Sequence, residues 1–119
     1  MRTQTMRQTL SATTLKDQDV VNGASEDIGT IEDFMIDLES GRVNYAVLSF
    51  GGFLGMGDKL FAVPYEALRI DPENERFVID VPKERLEKAP GFDKNDWPEF
   101  GDEKWARNVH SHWGTTPRS

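Results

Sequence analysis

Three groups of residues in this chain have types and spacings that could do chemistry. The first is Gly51-Gly52-Phe53-Leu54-Gly55-Met56-Gly57, where Gly52 and Gly57 stand at the separation found in a phosphate-cradling P-loop. That chemistry needs a lysine next, to reach the phosphates, and a helix N-terminus to hold the anion. Asp58 occupies the lysine's place, Lys59 comes one residue late and Leu60 follows it, so the loop is not a phosphate site. The second group is His110 and His112, the only histidines. On a helix, residues two apart point about 200° apart around the axis and cannot share one metal ion, so their expected placement is an incidental one near the tail. A hydrolase built on Ser49 would have to take its base from that same tail, which disfavours it. The third group is carboxylates. Asp93-Lys94-Asn95-Asp96 begins like a calcium loop, but Trp97 and Pro98 take the next positions and the remaining ligand pattern is missing. Glu32, Asp33, Asp37 and Glu39 read as a solvated outer strand face plus a turn. A small-molecule or metal-binding protein using Glu32, Asp33 and Asp37, or the two histidines, is the least favoured reading. No catalytic, metal or cofactor residue is assigned, and the protein is expected not to be an enzyme.

The stretch from Val43 to Tyr65 must position whatever the chain does present. In a strand from Val43 to Phe50, Val43, Tyr45 and Val47 point one way and Ala46, Leu48 and Phe50 the other. Both faces are apolar, which predicts cover on both sides, as in a small closed or strongly curled sheet. The glycine-rich connection follows, then a strand from Lys59 that stops at Pro64. Phe53, Leu54 and Met56 are more apolar bulk than a turn needs, and they are either a plain hairpin connection or a contact for self-association or a partner.

Around this centre the chain reads as mainly β. Ser11 can cap a short helical turn, with Leu10 and Leu15 placed as a hydrophobic staple. Asp19 to Asn22 reads as a strand ending in an Asn-Gly turn, and Ile28 to Leu38 as a longer strand. Within the latter, Phe34, Ile36 and Leu38 alternate, while Ile28 and Ile31 fall on opposite faces and require a bulge between them. Glu39-Ser40-Gly41-Arg42 is a hairpin turn in which Gly41 suits a positive φ. Tyr65 to Leu68 reads as a short turn, and Arg76 to Val81 as the last barrel strand. Pro82 opens a short helix that faces Leu86 and Ala89 inward, and Asp102 caps a final helix from Glu103 to about Trp113. Trp105, Val109 and Trp113 recur every four residues on that helix and form a stripe. It either covers the outside of its own barrel or docks on a second subunit or partner.

The balance of charges excludes some partners. The chain holds 21 acidic and 14 basic residues, and Leu10 to Phe100 alone holds 19 acidic against nine basic, a net of −10. Such a field repels phosphate backbones and anionic lipids, so no direct nucleic-acid binding is expected. No apolar run is long enough for membrane insertion, and the first residues lack the apolar core of a signal peptide, so a cytoplasmic location is expected. Cysteine is absent.

Several fragments in order carry a resemblance: Ile28-Gly29-Thr30-Ile31 with Phe34-Met35-Ile36-Asp37, Ser40-Gly41-Arg42-Val43 with Tyr45-Ala46-Val47-Leu48, Gly51-Gly52, and Phe61-Ala62-Val63-Pro64-Tyr65. From Leu10 to Val81 the chain resembles the PRC-barrel family, the small barrel of the photosynthetic reaction-centre H subunit and of a ribosome maturation factor. The resemblance implies a barrel that binds other proteins or further copies of itself, with no family catalytic residues to carry over. The expected organisation is a disordered tail (1–9), a closed or partly closed antiparallel β-barrel (10–81), a C-terminal helical extension (82–113) and a disordered tail (114–119). The expected function is a non-enzymatic adaptor, forming a homodimer, with Phe53, Leu54, Met56, Trp105, Val109 and Trp113 as its interaction residues. The alternative is a peripheral assembly factor that docks on a membrane-bound or ribosomal complex.

Overall fold

The computed structural model describes residues 10–49, 59–71, 73–80, 84–85, 88–89 and 91–115. Ser11 does cap α1 (Ala12–Leu15), its hydroxyl accepting the Thr14 amide hydrogen at 3.0 Å. Among the described residues seven strands follow: β1 (Asp19–Asn22), β2 (Asp27–Ile36), β3 (Val43–Ser49), β4 (Lys59–Pro64), β5 (Leu68–Asp71), β6 (Arg76–Ile79) and β7 (Gly91–Asp93). A 3-10 turn (Tyr65–Ala67) joins β4 to β5, and α2 (Glu103–Trp113) ends the described chain.

The strands form one sheet in the order β5-β6-β1-β2-β3-β4-β7. Two features of the expected antiparallel barrel are corrected by it. The sheet is mixed, because β1 lies parallel to β6 while every other pair is antiparallel. The cause is the corner after Pro64. The 3-10 turn carries the chain around to the far edge without reversing its sense, so the β5–β6 hairpin returns alongside β1 in the same direction. Nor do hydrogen bonds close the sheet: among the described residues its ladder ends at β5 on one side and β7 on the other. On one face of the sheet the rings of Phe34 on β2 and Phe77 on β6 lie 6.3 Å apart across the intervening β1.

The irregular pairing expected to reconcile Ile28 with Ile31 is present, at Ile28 itself, and a second follows Ile31. Val20 and Val21 face Gly29 and Asp27, which leaves Ile28 extra in its strand. Leu48 and Val47 face Ile31 and Asp33, which leaves Glu32 extra. Each added residue lets a strand switch faces, and Ile28 and Ile31 are both buried as a result. The alternation of Phe34, Ile36 and Leu38 does not mark a buried face, since β2 stops at Ile36 and Leu38 is 94% exposed.

The concave face gathers Ile31, Leu48, Phe61, Val63, Phe77 and Ile79, all buried. On β3, Tyr45, Ala46, Val47 and Leu48 are all buried, so the strand is covered on both faces as its sequence predicts. What covers the outer face lies in the C-terminal extension, which is helical only in part. Gly91–Asp93 adds an edge strand to β4, placing Phe92 opposite Leu60. Gly91 allows this approach, because a Cβ there would sit 2.7 Å from the Phe61 ring. The short helix expected from Pro82 falls largely outside the described residues.

Candidate interaction surface

Tyr45 lies at the centre of the covered outer face. Its ring meets Phe100, Trp105 and His110 at centroid distances of 5.8, 5.2 and 5.6 Å, and Phe100 in turn meets Trp105 at 4.8 Å and Phe92 at 6.1 Å. Tilted and edge-on aromatic pairs each add about 0.5–1.5 kcal/mol beyond burial, so this cluster fixes the extension firmly on β3 and β4. Helix α2 starts as the sequence predicts, with the Asp102 carboxylate accepting the Lys104 amide hydrogen at 3.0 Å, and ends at Gly114 in the left-handed conformation, φ 72. Its stripe faces inward: Val109 and Trp113 are buried and Trp105 is half-buried. Of the two coverings open to the stripe, the structure has it on its own sheet, where Val109 and Trp113 are buried and Trp105 keeps part of its surface.

The reading of the histidines as incidental tail residues is corrected as well. His110 is buried, its Nε2 sharing a hydrogen bond of 3.3 Å with the Tyr45 hydroxyl and its Nδ1 one of 2.7 Å with the Thr115 hydroxyl. His110 directly follows Val109 in the buried stripe, and that 100° step was the signal available in the sequence. His112 is engaged separately: its Nε2 bonds the Arg85 carbonyl at 3.1 Å, while the Arg85 guanidinium donates to the His112 carbonyl. Burial holds the His112 imidazole below its usual pKa, with the Arg85 charge acting in the same direction and the bond to the Arg85 carbonyl opposing. Burial, with the Glu66 charge adding to it, raises the Tyr45 hydroxyl above the usual phenol value. The Tyr45–His110 bond fastens the extension to the sheet, while His112 and Arg85 tie two parts of the extension to each other.

The carboxylates also do local structural work. The Asp33 side chain accepts the Phe34 amide hydrogen at 2.8 Å. Asp37 sets the β2–β3 turn: its Oδ2 accepts the Ser40 hydroxyl at 2.6 Å and the Ser40 amide at 3.3 Å, and the Arg42 amide donates to the Ser40 hydroxyl oxygen at 3.2 Å. Backbone bonds from Asp37 to Arg42 and from Gly41 to Asp37, both 2.8 Å, complete the turn, with Gly41 at φ 77 as expected. Leu38 stands on this braced turn, and Ile36, 49% exposed, lies just before it. The sequence reading ran this strand on to Leu38, two residues beyond its end at Ile36. Phe53, Leu54 and Met56 lie outside the described residues.

Among the described residues no helix is long and apolar enough to cross a membrane. A comparison with the curated proteins finds no match. The hairpin, the corner at Pro64 and the six strands up to Ile79 all fall within residues 8–86, the span that matches the model of the PRC-barrel domain, and the chain belongs to that family.

Proposed function

We propose that this chain is a non-enzymatic adaptor of the PRC-barrel type that binds other proteins through the exposed end of its β2–β3 hairpin. The observation that carries the reading is Leu38, a large apolar side chain 94% exposed on a turn braced by the Asp37 carboxylate. A braced turn loses little conformational freedom on binding, so apolar area covered there converts efficiently into affinity. The family supports the general role, since PRC-barrel domains are protein-interaction modules. Self-association, if it uses Phe53, Leu54 and Met56, is a second contact elsewhere on the chain.

The test compares the wild-type chain with an Ile36→Ser, Leu38→Ser variant, reading the proteins that co-purify from the native host and the mass of each chain in solution. Partners retained by the wild type and lost by the variant are expected, at an unchanged mass. An adaptor role is refuted if no protein is retained above background. A Phe53→Ser, Met56→Ser variant that stays dimeric would remove the loop as the self-association contact.

A further inference from the structure

The same hairpin has a marked charge pattern. From Asp27 to Val43 it carries five acids, Asp27, Glu32, Asp33, Asp37 and Glu39, against the single base Arg42. Glu32, Asp33 and Glu39 are exposed. Ile36 pairs with Val43 across the hairpin, so Ile36, half-buried Val43 and Leu38 form a small apolar tip on an acidic arm. Covering that tip partly dehydrates the Asp37 and Glu39 carboxylates of the turn, with Glu32 and Asp33 adding their field from farther back along β2, which is favourable only if the partner brings opposite charge. A second copy seated by two-fold symmetry would set the same negative excess against itself. Nucleic acid and anionic lipid meet the same repulsion.

We infer that the β2–β3 hairpin tip docks a basic segment of another protein, one in which an apolar side chain flanked by lysine or arginine covers Leu38 and Ile36. This rests on the adaptor reading and names the chemistry of its partner. Electrostatic attraction steers the encounter and makes it salt-dependent, while the contact on Leu38 sets how long it lasts.

The experiment titrates the full chain at low salt with a fluorescein-labelled lysine peptide interrupted by leucine, and reads anisotropy. Saturable binding to the wild type is expected. Leu38→Ser should weaken it by about tenfold to a hundredfold, the effect of uncovering one leucine. Glu32→Lys with Glu39→Lys should weaken it as much and flatten its salt dependence. The control is Glu84→Lys with Asp96→Lys, which makes the same change of net charge at exposed positions outside the hairpin, Asp96 bridging to Asp93 at the end of β4 opposite Pro64, and is expected to shift affinity by about twofold at most. Absence of saturable binding, an unaffected Leu38→Ser variant, or equal weakening by the control pair overturns the inference. If the peptide fails while the wild type still retains host proteins that Ile36→Ser, Leu38→Ser loses, only the basic chemistry falls. If no protein is retained either, the adaptor reading falls with it.

Discussion

Replacing Tyr45 by Phe removes one oxygen from the place where the extension meets the sheet. The ring can stay where it is, against Phe100, Trp105 and His110. What is lost is the bond of 3.3 Å to His110 Nε2, inside a site where Tyr45 is 5% and His110 4% exposed. Stripping a partner from a buried polar group costs about 1–3 kcal/mol. The bond is longer than the usual limit of about 3.2 Å, so the low end applies and about 1 kcal/mol is expected. His110→Leu costs more, because it also removes the partner of the Thr115 hydroxyl. In the double variant the two polar groups vanish together, and its cost should fall short of the sum of the singles by about 1 kcal/mol. Urea unfolding of the four proteins measures this: at a slope of about 2 kcal/mol/M, each 1 kcal/mol moves the midpoint by about 0.5 M. The cycle has an independent check in pH. Since burial raises the Tyr45 pKa, the protonated phenol is favoured in the fold, and its contribution is full below the unfolded value of about 10 and lost as pH rises past it. Tyr45→Phe should lose that part of the alkaline decline. Costs that add to within about 0.3 kcal/mol would refute the pairing and leave aromatic packing alone holding α2.

Other consequences can be measured on the same protein. Val109→Ala, at a position 1% exposed, should cost about 2 kcal/mol from lost burial and a small cavity, read as a lower urea midpoint. Gly91→Ala forces its Cβ toward the Phe61 ring and to 3.1 Å from the Leu60 carbonyl oxygen, so a cost of about 1–3 kcal/mol and faster amide exchange in β7 are expected. The lowered pKa of His112 favours the neutral ring in the fold, so its contribution is complete above the unfolded value of about 6.5 and is lost as pH falls through that region. The thermal midpoint should therefore drop less between pH 8 and pH 5 in His112→Gln than in the wild type. Leu38→Ser, on an exposed turn, should leave stability within about 0.5 kcal/mol, which a thermal scan checks.

Most of the strand plan was legible because it rests on local rules. The two-faced apolar run of β3, the Gly41 turn, the Pro64 stop and the caps at Ser11 and Asp102 each depend on residues within one or two turns of chain, and all appear as expected. The misreadings share a different origin. Leu38 continued an apolar alternation, and only the Asp37 turn, which competes for the same backbone, ends the strand at Ile36. His110 looked incidental because its partner Tyr45 is 65 residues away.

The sequence by itself determined that β3 must be covered on both faces and that α2 must lay its Trp105, Val109 and Trp113 stripe on something. Only the tertiary structure decided that these two requirements satisfy each other. Pattern specifies how much apolar surface an element must hide, but which surface hides it depends on where the chain's turns deliver distant segments. Here Gly91 lets β7 sit beside β4, with Phe92 packed on Phe100, and Phe100 and Trp105 reach Tyr45. The stripe is thereby consumed within the molecule, and the β2–β3 hairpin keeps Leu38 in water.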